Sequence, residues 1–389
     1  MAALYSIALA LTLAVSVVAC GIPAVEPDKW ETDNTGPFEI GPYIVPGGDG
    51  TVFISVKGSG KATVEYWTEE PGSPEEAKVP AGSIVLAVDM AEQNDLLVAT
   101  LPDLPLDKRI GYRVRGAQGV TPVYRFRVGR KPNEEFRFAA FGDTRTGHSV
   151  HRAVIEAVAR ERIDFVANSG DLVDRGGVKS QWERFFKIEK PLLVKAPIIP
   201  AIGNHDWSGR QYFRRYFMLS RWTGDRRYFI KDWGNLLILS VDSGIECREG
   251  CAQYRFAEKA LAEGAKQNKL MMIQLHFPPY SAGKHGNNTA VQKPVTDLAR
   301  RYGVELVVTG HDHNYERTKK IDGTTFVVTG SAGAPIRPVG PTKYTAHART
   351  EPHYVLFDVT YEQITLRAIN LEGEVFDSAV IQPNPPRQK

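Results

Sequence analysis

The sequence predicts an α/β layered domain that is preceded by a smaller all-β domain. Between residues 38 and 130, short runs of alternating apolar and polar residues recur between turns rich in Gly and Pro, which is the pattern of a β-sandwich. From residue 134 to residue 383, apolar segments of strand length alternate with segments of helical spacing. Such an alternation indicates a layered α/β domain. A length of 389 residues agrees with two domains.

Four short strands are predicted in the all-β domain. They cover residues 51–56, 62–67, 96–100 and 110–114. Short strands at this spacing favour an immunoglobulin-like or fibronectin-like sandwich. We find no cluster of candidate ligands in this domain, so we predict that it is a spacer or supports a lid.

The second domain is predicted to contain strands and helices in turn. Strands are expected at 136–141, 163–167, 197–202, 236–241, 270–275 and 304–308, and helices at 148–162, 181–190, 256–267 and 290–301. Late strands are expected at 326–329, 354–359, 364–369 and 375–381, where the alternation is that of an antiparallel sheet edge or a second sheet. Residues 384–389 form a predicted tail.

The N-terminal segment has the features of an export signal. Residues 2–19 are almost wholly apolar and have about the length of a secretory signal. The sequence Val-Val-Ala-Cys-Gly at 17–21 resembles the lipobox of bacterial lipoproteins, which implies cleavage before Cys20, lipidation of its thiol and attachment to a membrane. The usual basic residues are absent from 1–6, and a plain signal peptide that is cut nearby is the alternative. Either way we predict an exported protein of the cell envelope, periplasmic or at the cell surface, with a linker at 21–37.

Composition and cysteine content limit the function classes. The net charge is +3, and no basic run of the kind that binds nucleic acid is present, so no nucleic-acid partner is implied. Cys247 and Cys251 are separated by three residues that include Gly250. In an oxidising compartment this spacing predicts a small disulfide loop.

Polar residues follow five predicted strands at the point where each strand ends. The five loops are Gly142-Asp143-Thr144-Arg145, Gly170-Asp171-Leu172-Val173-Asp174, Gly203-Asn204-His205-Asp206, Gln274-Leu275-His276 and Gly310-His311-Asp312-His313. Because layered sheets bind ligands at the carboxyl ends of their strands, we expect these side chains to meet. Carboxylate, amide and imidazole ligands suit Zn, Mn or Fe and exclude a soft thiolate site. Any one loop is equally explained as a polar turn, but five in one domain are not.

The five loops resemble the motif set of the calcineurin-like metallophosphoesterase superfamily. With the preceding sandwich and the spacing from His276 to His285, the chain resembles bacterial relatives of the purple acid phosphatases over about 38–381. The resemblance implies an α/β layered β-sandwich metallophosphoesterase domain with a dinuclear centre of two divalent or trivalent ions, Fe, Zn or Mn. Two such ions clamp the attacking and leaving oxygens of a phosphoryl group.

The resemblance also assigns roles to individual residues. The first metal would be held by Asp143, Asp171 and His313, with Asp171 bridging, and the second by Asp171, Asn204, His276 and His311. His205 is similar to a residue that contacts substrate phosphate and assists the leaving group; the alternative is a histidine outside the metal shell, braced by Asp206. His285 is similar to a general-acid histidine, and the alternative is a solvated loop histidine.

Two positions depart from the family pattern. Arg145 stands where many members have a metal-binding histidine, and Asp174 stands where purple members have a tyrosine. The first metal therefore lacks an evident fourth protein ligand, which His148, Asp174 or water would supply, and no purple colour is expected. Arg145 would instead face the substrate phosphate. The alternative for Asp174 is an ion pair with Arg175 or a turn cap.

The sequence as a whole predicts an exported, membrane-anchored phosphoesterase. Its partner would be a small-molecule phosphate ester, a monoester that is attacked by metal-bound hydroxide. A phosphodiesterase that uses the same site is the first alternative, and a catalytically dead surface-binding protein is the second.

Overall fold

The computed structural model describes residues 36–385, except 49, 71, 73–76, 94, 107 and 246. The predicted signal segment with Cys20, and most of the predicted linker, lie outside the described residues. Within the described ranges, none of the helices is both long enough and apolar enough to span a membrane.

Among its described residues, the first region has nine strands in two antiparallel sheets. The strands are β1 (Ile40–Pro46), β2 (Val52–Lys57), β3 (Ala62–Glu69), β4 (Leu86–Asp89), β5 (Ala91–Gln93), β6 (Leu96–Leu101), β7 (Arg109–Gly116), β8 (Gly119–Val120) and β9 (Tyr124–Phe126). One sheet has the order β1-β2-β6-β5, and the other has the order β4-β3-β7-β8 with β9 also paired to β7. The described part of this region is therefore all-β, and its fibronectin-like character stays a prediction.

The second region contains six helices and thirteen strands among the described residues. They are β10 (Phe136–Phe141), α1 (His148–Arg160), β11 (Phe165–Asn168), α2 (Lys179–Leu193), β12 (Ile198–Pro200), α3 (Arg210–Tyr216), α4 (Leu219–Trp222), β13 (Phe229–Trp233), β14 (Leu236–Ser240), α5 (Ala252–Lys266), β15 (Leu270–Gln274), α6 (Thr289–Tyr302), β16 (Leu306–Thr309), β17 (Tyr315–Thr318), β18 (Thr325–Thr329), β19 (Thr345–Arg349), β20 (His353–Val359), β21 (Ile364–Asn370) and β22 (Val375–Ile381).

These strands form two mixed sheets. One has the order β12-β11-β10-β20-β21-β22, and the other has the order β13-β14-β15-β16-β18-β17-β19. Strands β10 to β12 run parallel, as do β14, β15, β16 and β18. The central strands β14, β15 and β16 are buried at every residue, because a parallel strand between covered faces has no solvent side.

Most predicted elements are present, and several features differ from expectation. The strand predicted at 326–329 is β18, which lies inside the seven-stranded sheet, where it pairs in parallel with β16 and antiparallel with β17. Strands β13, β17 and β19 were not predicted. Strand β13 alternates buried and exposed residues. This period-2 pattern is short and lies next to a helical stretch, so it does not by itself predict a strand.

The all-β region is fixed to the α/β region by buried tyrosines. The ring of Tyr43 in β1 lies 4.3 Å from that of Phe186 in α2, centroid to centroid, and its hydroxyl donates to the carbonyl of Tyr216 at 3.1 Å. The hydroxyl of Tyr112 in β7 donates to the carbonyl of Val194 at 2.8 Å. Strand β1 is buried along its whole length. The all-β region therefore supports α2, the helix that follows the Asp171 loop.

The structure does not form the predicted disulfide between Cys247 and Cys251. Both side chains are thiols in this structure. The sulfur of Cys251 caps the start of α5, where it accepts the backbone N–H of Tyr254 at 3.3 Å. Cys247 lies in an apolar cluster with side chains of β14 and α5, and burial raises the pKa of its thiol to about 11. The two sulfurs thus have separate packing roles in this structure.

Candidate metal centre

The five polar loops meet at one place between the two mixed sheets. The loops follow β10, β11, β12, β15 and β16, as predicted. The ring Nδ1 of His276, just beyond β15, lies 2.9 Å from the carbonyl oxygen of Ser169, just beyond β11. This hydrogen bond joins the carboxyl ends of the two sheets. Asp143, Asp171 and His276 at this junction are almost completely buried.

Three of the predicted ligands have left-handed backbone conformations. The φ angles are 55° at Asp143, 54° at Asp171 and 70° at His311. Such angles are uncommon outside glycine and tend to cluster at functional sites. Each residue turns the chain sharply at the end of its strand. The side chain is thereby directed toward the junction of the sheets instead of into a continuing strand.

Neighbouring glycines allow the backbone to approach the carboxylates. A Cβ atom on Gly310 would lie 2.4 Å from Oδ2 of Asp143, and one on Gly203 would lie 2.2 Å from Oδ1 of Asp171. Neither position has room for a methyl group. Glycine is therefore required at both positions for the close approach of the backbone to the carboxylate.

The second ring nitrogen of His276 faces two acceptor atoms. A carbonyl oxygen only accepts hydrogen bonds, so Nδ1 of His276 is the nitrogen that donates to Ser169. The other nitrogen, Nε2, lies 3.1 Å from Oδ1 of Asn204 and 3.3 Å from Oδ1 of Asp171. When the ring is neutral, three acceptors converge, and a cation is needed between them.

The pKa shifts of His276 and Asp171, the two buried partners, agree with this arrangement. Burial lowers the pKa of His276, but the carboxylates of Asp171 and Asp143 outweigh it and raise the pKa to about 9. Burial raises the pKa of Asp171, but His276 outweighs it and holds that pKa well below its usual range. A proton on His276 therefore takes the place of a metal cation when none is bound.

Asp143 completes a group that fits a metal ion. Its Oδ2 accepts the backbone N–H of His311 at 2.9 Å, whereas its Oδ1 is buried and makes no hydrogen bond. In the described part of the chain, Asp143, Asp171 and His276 each offer a ligand atom within 4.8 Å of the others. A buried carboxylate oxygen without a partner is costly, and a metal ion held by this group would satisfy it.

Arg145 lies on the other side of Asp171. Its Nε is 3.3 Å from Oδ2 of Asp171, its Nη1 is 3.3 Å from Oδ1 of Asp174, and its Nη2 is 3.4 Å from Nε2 of His313. The side chain is only 11% exposed. Asp174 therefore pairs with Arg145 here.

His205 faces the site through one ring nitrogen. Its Nδ1 donates to the backbone carbonyl of Asp174 at 2.7 Å, which leaves Nε2 free at 3.9 Å from Oδ2 of Asp171. Asp206 does not contact the ring. Its carboxylate accepts the backbone N–H groups of Gly203 and Val173, at 2.9 Å and 3.2 Å. Asp206 thus fixes the two loops that present His205 and Asp171.

His285 and His148 are less suited to the roles predicted for them. The ring centroid of His285 lies 4.2 Å from that of His311. Its Nε2 contacts the guanidinium of Arg337. This nitrogen therefore accepts a hydrogen bond and has no proton to give. His148 contacts Nη1 of Arg184 at 3.2 Å and lines a cavity of about 180 Å³ beside Arg145. Arg337 was not predicted, because no motif surrounds it.

Comparison with known proteins shows what the second region is similar to. Residues 136–315 match the family model described as calcineurin-like phosphoesterase. This stretch of the chain is therefore similar to calcineurin-like phosphoesterases, and all five loops lie within the matched residues.

The relatives of the chain include purple acid phosphatases, tartrate-resistant acid phosphatases and a nucleotide pyrophosphatase/phosphodiesterase of Hordeum vulgare. It is 28% identical over 217 residues to probable inactive purple acid phosphatase 24 of Arabidopsis thaliana, which covers 45% of this chain and 35% of that protein. It is 23% identical over 269 residues to tartrate-resistant acid phosphatase type 5 of Sus scrofa, which covers 61% of this chain and 77% of that protein. The chain thus spans about a third of the length of the first relative.

The fold is that of a solved purple acid phosphatase. The structure of PPD1 from yellow lupin seeds superposes with a TM-score of 0.75 and 18% identity, and covers 88% of this chain and 74% of that chain. At this identity the match establishes the fold alone. It confirms the predicted α/β layered sandwich of the second region.

Proposed function

We propose that the chain is a metal-dependent phosphoesterase that hydrolyses phosphate monoesters of small molecules. The observation behind the proposal is the convergence of Asp143, Asp171, His276 and Asn204 at one point, where one buried carboxylate oxygen makes no hydrogen bond. A divalent ion held by such ligands polarises a phosphoryl oxygen and lowers the pKa of a bound water. Fe, Zn and Mn all suit these donors.

Arg145 and His205 would act on the substrate from the protein side. A guanidinium has five N–H donors, and Arg145 uses three of them on Asp171, Asp174 and His313. Two remain for phosphate oxygens. His205 has Nε2 directed at the same space, and its side chain is 29% exposed. When Nε2 of His205 carries a proton, it can donate that proton to the leaving oxygen.

The activity is tested by assaying the purified chain with a matched monoester and diester. We expect p-nitrophenyl phosphate to be hydrolysed at least about tenfold faster than bis(p-nitrophenyl) phosphate, and chelation by EDTA to remove the activity until Zn²⁺ or Mn²⁺ is restored. Faster diester hydrolysis would favour the phosphodiesterase alternative. Bound metal without turnover of either ester would favour the surface-binding alternative, which the inactive relative makes worth testing.

We propose also that the chain is exported and anchored by a lipid on Cys20. The support is the apolar segment at 2–19 and the lipobox-like sequence at 17–21. Replacing Cys20 with alanine is expected to move the protein from the membrane fraction to the soluble envelope fraction. Unchanged membrane association of the Cys20→Ala variant would contradict lipid attachment at this residue.

A further inference from the structure

We propose that this protein binds one metal ion per chain rather than two, because the guanidinium of Arg145 occupies the position of the first metal. The inference rests on the proposed function, since it concerns the same site. A fixed organic cation would then replace one ion of the pair that the family resemblance implies.

The donors of the predicted first site are already engaged by Arg145. Two of the three residues expected to hold the first metal are Asp171 and His313. Arg145 reaches Oδ2 of Asp171 with Nε at 3.3 Å and reaches Nε2 of His313 with Nη2 at 3.4 Å. A metal ion bound to these same two atoms would have to lie where the guanidinium now lies.

The tautomer of His313 fits this contact. Its Nδ1 lies 2.7 Å from the carbonyl oxygen of Pro335, so Nδ1 donates and Nε2 keeps its lone pair. That lone pair faces Nη2 of Arg145, which only donates. Nε2 of His313 therefore accepts from Arg145 with the same lone pair that it would use to bind a metal ion.

The two oxygens of Asp171 divide between the two cation positions. Oδ2 faces Arg145, whereas Oδ1 lies 3.3 Å from Nε2 of His276 and 2.9 Å from the backbone nitrogen of His205. The third predicted ligand of the first metal, Asp143, groups with Asp171 and His276. The remaining donors thus converge on a single position that combines ligands expected for both metals.

Asp174 makes the replacement stable. Its Oδ1 lies 3.3 Å from Nη1 of Arg145, so the guanidinium is held between two carboxylates. Arginine remains protonated at every working pH. Its positive charge therefore offsets the charge of Asp171 and Asp174 permanently, and a second divalent ion would have to expel a buried cation in order to bind.

The experiment is a count of bound metal on the full chain. The metal-free protein is loaded with excess Mn²⁺, passed through a desalting column and measured by inductively coupled plasma mass spectrometry and by electron paramagnetic resonance. We expect one equivalent with the six-line spectrum of isolated Mn²⁺. The Arg145→His variant, which offers a ligand in place of the guanidinium, is expected to bind two equivalents with a spin-coupled spectrum.

The control is Arg115→His, since Arg115 pairs with Glu65 in the all-β region and is 52% exposed; it should bind one equivalent like the unchanged protein. Two equivalents in the unchanged protein would overturn the inference and leave the proposed hydrolysis intact. One equivalent in both the unchanged protein and Arg145→His would overturn the role given to Arg145. No bound metal in any variant would overturn the inference and the proposed function together.

Discussion

Replacing Asp171 with asparagine is expected to abolish metal binding and to lower kcat/KM at least about 1,000-fold, which corresponds to about 4 kcal/mol of transition-state stabilisation. Asp171 is the residue whose two oxygens serve both sides of the site, since Oδ1 faces His276 and Oδ2 faces Arg145. Asparagine keeps the shape but loses the charge. Its amide also has two N–H donors, one of which would have to face either a metal position or the guanidinium.

The measurement has two parts, metal content and the hydrolysis of p-nitrophenyl phosphate. Asp358→Asn is the matched control, because Asp358 pairs with Arg137 at the surface of the same region, far along the sheet from the site, and is 32% exposed. Circular dichroism establishes that both variants are folded. If Asp171→Asn kept its metal and its kcat/KM stayed within about tenfold of that of the unchanged protein, Asp171 would not be the residue whose two oxygens serve both sides of the site.

The sequence was informative about the site because few residue types bind metal ions and the candidate ligands follow buried strands. Asp143, Asp171 and His276 each come directly after an apolar run, and that position alone predicts that they meet. The same argument predicted the order of the elements. It did not predict that β18 would be parallel, because a short apolar strand looks the same in either direction.

The contacts of side chains across the site were beyond the sequence. Arg145 was expected to face the substrate, but only the structure shows that its guanidinium reaches both Asp171 and His313. Those contacts depend on how the first, second and fifth loops approach one another. Likewise, Arg337 contacts His285 from 52 residues away, and no local pattern marks a residue that acts at such a separation.

A different kind of variant tests how closely the loops must approach. The Cβ of alanine at Gly203 would lie 2.2 Å from the backbone nitrogen and 2.2 Å from Oδ1 of Asp171. Both neighbours belong to a residue that is 1% exposed and already in a left-handed conformation, with φ at 54°. The Asp171 loop therefore has little freedom to retreat, and the clash must move the carboxylate itself.

Gly203→Ala is therefore expected to lower the free energy of unfolding by about 3 kcal/mol and to reduce kcat/KM about 100-fold or more, because a shift of about 1 Å in a positioned group has that effect. Urea unfolding gives the first value and hydrolysis of p-nitrophenyl phosphate gives the second. The control is Gly340→Ala, since a Cβ at Gly340 would have no neighbour within 4 Å. If Gly203→Ala kept the stability and the turnover of the unchanged protein, the Asp171 loop would be able to relax. The backbone around Asp171 would then not hold the carboxylate in one position.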